Sequence, residues 1–244
     1  MNKIAVVTDF DGTLMEQDVG STIMKQLGVE QESQLIEVLA RFKRKEIGSY
    51  TWIEASTPLL EGKREQVDRL IEDKELRDGA LDFLSFCKGE QVPVTILSDG
   101  LIYYIERILD RLQVEAEQVI SNPITYSDNG ELRYGLQNDN AACKWCGCCK
   151  ASVVRKLKQD GWSIIYIGDG GSDYYGSAFA DWIFARSSLV RYLTEEGTEF
   201  YPFQTFWDVL EVVQRNWNDF LAGTAPRRLN VRVPAACSFP DDET

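Results

Sequence analysis

Three short apolar runs punctuate the chain: Ile4-Ala5-Val6-Val7, residues 92–97 and residues 164–167. Each is continuous rather than alternating and rich in β-branched residues. Strands buried on both faces of a parallel sheet read this way, because neither face meets water. Between the runs, residues 80–88, 103–112 and 151–157 place apolar side chains at helical spacing. The alternation of strand and helix predicts an open α/β sheet. Ile183-Phe184-Ala185 predicts a further, shorter strand.

Residues 17 to 77 break the alternation. Leu35, Val38, Leu39 and Phe42 share one helix face, Val67, Leu70 and Ile71 share another, and Pro58 and Gly62 punctuate between them. Roughly 60 residues is long for a single crossover, so the segment reads as a helical module inserted after the first strand. The alternative is that these helices pack directly on the sheet. Further on, Ser127-Asp128-Asn129-Gly130 lies between Ile124-Thr125-Tyr126 and Leu132-Arg133-Tyr134, a hairpin signal. From Gly223 the chain turns irregular, with Pro226, Pro234, Pro240 and an acidic end, and reads as a loose tail.

Composition narrows the chemistry. The 244 residues suggest one large domain or a core with a small accessory domain. A net charge of −13, from 26 Lys+Arg and 39 Asp+Glu, argues against nucleic acid and against an anionic membrane surface as partners. With no His at all, a Ser-His-Asp triad, a Cys-His pair and His-ligated zinc, haem or iron are excluded. An acid, base or metal ligand must then be a carboxylate, Lys, Tyr, Cys or backbone group. The start of the chain is too short for a signal-peptide core, and no apolar run reaches about 18 residues. A cytoplasmic location is therefore expected, and the sequence leaves monomer and homodimer open. Four of the six Cys cluster at Cys143, Cys146, Cys148 and Cys149, which in a cytosolic protein favours thiol or metal chemistry over disulfides.

Each strong run ends in polar residues. Asp9-Phe10-Asp11-Gly12-Thr13 follows the first, Ser98-Asp99-Gly100 the second, and Gly168-Asp169-Gly170-Gly171-Ser172-Asp173 the third. Ligands of parallel sheets bind outside the carboxyl ends of the strands. If the strands are neighbours, Asp9, Asp11, Asp169 and Asp173 converge, and four carboxylates repel one another without a cation. A hard divalent ion such as Mg2+ resolves that repulsion. Singly, each motif is also what turns and helix caps look like. Agreement among three strand ends favours a ligand site. The third motif lacks the last glycine of a dinucleotide fingerprint. The first opens like a calcium loop, but Thr13 and Leu14 occupy the next ligand and glycine positions.

Together with the downstream Lys150, these motifs resemble the four motifs of the haloacid dehalogenase superfamily of phosphatases, in order and spacing across nearly the whole chain. The helical insert resembles the C1 cap of the phosphoserine-phosphatase-like branch. The resemblance implies a Rossmann-like parallel-sheet core at 1–14 and 78–222, a cap at 15–77, a hairpin insertion at 121–142 and a tail at 223–244. It implies Asp9 as the nucleophile that becomes phosphoaspartyl and Asp11 as general acid and then base. Ser98, Asp99 and Gly100 would bind the phosphate, and Lys150 would neutralise nucleophile and phosphoryl group. Asp9, Asp11 through its carbonyl, and Asp169 would hold Mg2+, with Asp173 supporting from behind. A carboxylate nucleophile needs no prior deprotonation, so a His-free chain can run this reaction.

Cys143-Lys144-Trp145-Cys146-Gly147-Cys148-Cys149-Lys150, with Asn122-Pro123, resembles the 2-hydroxy-3-keto-5-methylthiopentenyl-1-phosphate phosphatases of methionine salvage. That likeness implies a small phosphorylated metabolite as substrate. Phosphocholine, phosphoethanolamine or phosphoserine phosphatases are the alternative, and a non-enzymatic Cys-metal or redox-responsive module is a further one. The Cys cluster itself has three readings: a structural Zn2+ site with a fourth ligand from Cys87, Cys237, a carboxylate or water, a set of redox thiols, or small buried hydrophobes packing a tight loop. Phe10 is expected to be buried. Glu16 and Asp18 could face a leaving group, or Asp18 could cap a helix. Arg41, Lys43, Arg44 and Lys45 read as a solvated face or as an attractor of an anionic substrate. Trp145, Tyr174 and Tyr175 lie near the motifs.

Overall fold

The computed structural model describes residues 2–127, 129, 131–226, 234 and 237–239. Its strands are β1 (Lys3–Thr8), β2 (Val94–Leu101), β3 (Gln118–Asn122), β4 (Ile124–Tyr126), β5 (Leu132–Tyr134), β6 (Trp162–Gly168), β7 (Trp182–Ala185) and β8 (Tyr201–Pro202). Its helices are α1 (Val19–Gln26), α2 (Ile36–Lys43), α3 (Ser49–Ser56), α4 (Arg64–Ile71), α5 (Ala80–Gly89), α6 (Ile102–Arg111), α7 (Lys150–Gln159), α8 (Gly171–Gly176), α9 (Ser187–Glu195), α10 (Phe206–Arg215) and α11 (Trp217–Ala222).

Six strands form one sheet in the order β3-β2-β1-β6-β7-β8, and every neighbouring pair is parallel. The three strong apolar runs are the adjacent β2, β1 and β6, with Val6 paired to Val94 on one side and Ile165 on the other. Successive side chains of β1 explain its unbroken run. Ile4 and Val6 pack with Phe83, Ile105 and Phe206, while Ala5 and Val7 pack with Val154, Leu189 and Leu193. Each buried Val, Leu, Ile or Phe among them stabilises the fold by about 1.5–3 kcal/mol. The short strand expected at Ile183–Ala185 is β7.

Two strands carry no apolar run, because both are edges. β3 exposes Gln118 and leaves Val119 and Ile120 half-buried. β8 has two residues, and its Pro202 is tolerated because no further strand asks for an N–H there.

Between β1 and α5 the described chain holds helices and turns, with one isolated bridge from Met15 to Leu76. The expected face on α4 is buried through Val67 and Ile71. α2 buries none of its residues, and Leu39 and Phe42 are half-buried. The β4–β5 hairpin pairs Ile124 with Tyr134 and Tyr126 with Leu132, while Asp128 and Gly130 of its expected turn lie outside the described residues. It leans on the helical segment, with the Tyr126 hydroxyl donating to Leu60 O at 3.3 Å.

The expected loose tail is only partly described: residues 227–233, 235–236 and 240–244 lie outside. Its described part is anchored. Phe239 packs on Cys149 and Ala151, and Asn140 Nδ2 donates to Ser238 O at 2.8 Å. No helix of the described residues is long and apolar enough to cross a membrane.

Candidate active site

Because β2, β1 and β6 are neighbours, their carboxyl ends bring the three polar motifs together. Asp9 follows β1, and its amide donates to Ile167 O on β6 at 2.9 Å. Lys150, the first residue of α7, is 1% exposed, so its ammonium is held by protein rather than water. Its Nζ donates to Asp9 Oδ1 at 2.6 Å and to Asp173 Oδ1 at 2.7 Å. The Tyr166 hydroxyl donates to the same Asp173 oxygen at 2.7 Å, and the amides of Asp169 and Gly170 donate to Asp173 Oδ2, each at 2.9 Å. A carboxylate has about four acceptor positions, and Asp173 fills them all within the protein. It therefore holds Lys150 and the turn into α8. Asp9 Oδ2 and both Asp169 oxygens receive no hydrogen bond from a described residue.

Oxygens of Asp9, Asp169 and Asp173 lie within 4.8 Å of one another. Burial and the facing Asp173 push the Asp9 carboxyl well above the ordinary carboxylate range, against the pull of Lys150. The same two causes push Asp169 up to about 7. Burial opposes the charge on Lys150, but Asp173 and Asp9 outweigh it and hold the ammonium well above its ordinary value. Carboxylates that resist ionising together, two of them with spare oxygens, fit a hard divalent cation.

Asp11 points into the space above this cluster. Its Oδ1 accepts the amides of Val19 at 2.9 Å and Gly20 at 3.1 Å, at the start of α1. Its Oδ2 accepts the hydroxyls of Tyr104 at 2.6 Å and Ser98 at 3.3 Å. Burial, then the nearby Asp18, push Asp11 up to about 7. Ser98 Oγ also accepts the Gly100 amide at 2.9 Å. The Asp99 side chain turns instead to the Cys loop, accepting the Cys148 amide at 2.6 Å, while its carbonyl accepts Asn122 Nδ2 at 2.7 Å. Burial raises its carboxyl.

The first motif is held from below. Gly12 has φ +74°, and a Cβ there would lie 2.8 Å from Asp169 Oδ2, so the position requires glycine. Buried Arg77 donates to the carbonyls of Gly12 and Thr13, both at 2.9 Å, and to those of Met15 and Glu16. Arg186 donates to Gly12 O at 2.5 Å. Phe10 is fully buried, as expected. Glu16 pairs with Arg77 at 2.9 Å, and Asp18 caps α1 by accepting the Ser21 amide at 2.7 Å. Sequence reading did not find Arg77, Tyr104, Tyr166 or Arg186, since no local pattern marks them. Asn122 was visible only as half of Asn122-Pro123.

A cavity of about 790 Å³ opens over the strand ends. Asp9, Asp11, Ser98, Asp99, Gly100 and Asp169 form its floor, and the helical segment supplies Met24, Leu39, Phe42, Trp52 and Ile53. Phe42 and Trp52 stack at 6.0 Å. Trp145, Tyr174 and Tyr175 also line it. Of the basic residues, Arg41 and Arg44 pair with Glu46, whereas Lys43 and Lys45 line the cavity. Lys45 contacts Tyr192 of α9.

The cysteines correct the zinc expectation. Among the described residues, Asp9, Asp169 and Asp173 form the one group of three ligand atoms close enough for a metal. Cys143, Cys146, Cys148 and Cys149 form none. Cys148 packs with Val7, Leu97 and Val154, whereas its neighbour Cys149 packs with Ala151 and Phe239. Burial raises the thiols of Cys146, Cys148 and Cys149.

Residues 4–199 match the family model described as "Putative Phosphatase". The chain is 32% identical over 216 residues to the 2-hydroxy-3-keto-5-methylthiopentenyl-1-phosphate phosphatase of Geobacillus kaustophilus, covering 87% of this chain and 96% of that protein. It is 28% identical over 218 residues to the phosphatase of the same name from Exiguobacterium sibiricum, covering 86% and 96%. Among solved structures it resembles a phospho-aspartyl intermediate analogue of phosphoserine phosphatase, with a TM-score of 0.64, 18% identity and coverage of 88% and 99%. It also resembles a haloacid-dehalogenase-family hydrolase from Salmonella enterica serovar Typhi, with a TM-score of 0.60, 20% identity and coverage of 83% and 68%. The family model and these relatives make the chain an enzyme of the Putative Phosphatase family, with the fold of phosphoserine phosphatase.

Proposed function

We propose that this phosphatase hydrolyses a small phosphomonoester through a phosphoaspartyl intermediate on Asp9, with Mg2+, and that its substrate is 2-hydroxy-3-keto-5-methylthiopentenyl-1-phosphate of methionine salvage. The observation that carries the reading is the cavity: reactive carboxylates and a buried Lys150 at the floor, an apolar wall opposite. Residues 15–77 act as the cap and supply that wall, over a core of 1–14 and 78–222. A methylthio tail suits Met24, Leu39, Phe42, Trp52 and Ile53, as the relatives' names suggest for their own substrates.

One oxygen of the Asp9 carboxylate attacks phosphorus, the bond to the leaving oxygen breaks, and that oxygen takes the proton of Asp11. Water then attacks the phosphoaspartate while Asp11 takes a proton from it, and phosphate leaves as the Asp9 carboxylate is restored. Ser98 Oγ and the Gly100 amide hold phosphoryl oxygens. Lys150 fixes Asp9 and offsets charge. Asp9, Asp169 and the Asp11 carbonyl would hold Mg2+, which when bound supplies charge against the phosphoryl oxygens.

Asp18, Glu30, Glu195 and Glu196 also line the cavity and favour a second reading, an amine-bearing substrate such as phosphoserine or phosphocholine. A panel of these three phosphate esters, assayed by phosphate release with Mg2+, decides. The expected order puts the methylthio ester first in kcat/KM, and an amine ester first would overturn the assignment. Asp9→Asn is expected to lower turnover by about 10³-fold or more while keeping the fold. Wild-type turnover in that variant would sink the mechanism.

A further inference from the structure

We propose that Tyr104 is a positioning residue for proton transfer, its hydroxyl fixing Asp11 Oδ2 as the oxygen that gives and takes the proton at the leaving group. The inference rests on the reading of Asp11 as general acid above and names a residue outside the four motifs.

Tyr104 stands in the first turn of α6, 2% exposed, and its hydroxyl donates to Asp11 Oδ2 at 2.6 Å. Space for that hydroxyl depends on two glycines. A Cβ on Gly100 would lie 1.9 Å from the Tyr104 oxygen and 2.6 Å from Asp11 Oδ2, and one on Gly20 would lie 2.9 Å from the same hydroxyl. The backbone is thus cleared on both sides for one tyrosine to reach one carboxylate.

The donors around Asp11 then divide its two oxygens. Oδ1 accepts two backbone amides, from Val19 and Gly20, which cannot turn into acceptors. Its acceptor positions are filled, so a carboxyl proton has no place there. Oδ2 meets only hydroxyls, from Tyr104 and, at 3.3 Å, Ser98. The longer Ser98 bond is the one released when Ser98 turns to a phosphoryl oxygen. That leaves one position on Oδ2 for the transferable proton and the other held by Tyr104. As the phosphorus–oxygen bond breaks, its electron pair stays on the leaving oxygen, the proton passes to it from Oδ2, and Asp11 is left as a carboxylate still bound by Tyr104.

The test uses the leaving group. p-Nitrophenolate departs without a proton, whereas an alkoxide needs one. Wild type, Tyr104→Phe and Asp11→Asn are assayed with Mg2+ on p-nitrophenyl phosphate and on β-glycerol phosphate. The comparison uses kcat/KM, which reports steps up to phosphoenzyme formation. Tyr104→Phe is expected to lose about 10-fold on the glycerol ester and under about 3-fold on the nitrophenyl ester. Both esters are measured on one preparation, so a partly unfolded variant lowers both rates equally and leaves their ratio intact. An unchanged ratio for Tyr104→Phe beside a changed one for Asp11→Asn overturns the proposal alone. An unchanged ratio for Asp11→Asn overturns the general-acid reading beneath it.

Discussion

Among single residues, the glycine at Gly12 and the arginine at Arg77 show how much of the site is built from groups that never meet substrate. Arg77 brings one guanidinium under four carbonyls in and just after the first motif, those of Gly12, Thr13, Met15 and Glu16. Cys87 of α5 gives a pH dependence away from the site. It is 2% exposed, and burial pushes its thiol up to about 12. In the unfolded chain a thiol titrates near about 8.5, so above that pH the unfolded state loses a proton that the native state keeps. Its stabilising contribution is fully present below about 8.5 and is lost as pH rises toward the folded value, by about 1.4 kcal/mol per pH unit. Urea unfolding from pH 7 to 10 should fall more steeply for wild type than for Cys87→Ala. Parallel curves would mean that the native thiol ionises as freely as the unfolded one.

Between elements, α2 and α6 contrast. Both are amphipathic, yet α6 turns Ile105, Ile108 and Leu109 into the core, while the apolar side of α2 faces the cavity. Ile105→Ala should destabilise by about 2–5 kcal/mol. Phe42→Ala should cost only about 1 kcal/mol in thermal unfolding, yet raise KM for the methylthio ester. Loss of stability in Phe42→Ala as large as in Ile105→Ala would make α2 a core helix after all. The pattern that marked Leu39 and Phe42 as one face was legible in the chain. What that face covers was not, because a helix stripe reads the same whether it meets protein or a ligand space. Edge strands β3 and β8 were illegible for a related reason: an exposed side removes the apolar run that announces a central strand.

For the whole molecule, an acidic chain gathers its carboxylates at one end of the sheet and must then stabilise them. Chelation of the protein is expected to abolish phosphate release, and added Mg2+ to restore it. Mg2+ at a hundred times its Kd should also raise unfolding free energy by about 2.7 kcal/mol, read as a higher melting temperature. A melting temperature unmoved by Mg2+ would mean that Asp9 and Asp169 do not form its site.

The sequence alone determined the parallel sheet and the order of the polar motifs that end its central strands, with Asp9, Asp11, Asp169 and the downstream Lys150 among them. Buried strands and the turns that end them are written in contiguous residues, so their chemistry can be read locally. Only the tertiary structure decided which groups face one another. Asp173 spends its oxygens on Lys150, Tyr166 and two amides, and Cys148 and Cys149 part into different clusters. Tyr104 reaches Asp11 across 93 residues, and Arg77 reaches Thr13 across 64. Such pairings depend on where packed elements set their side chains, and no spacing along the chain encodes that.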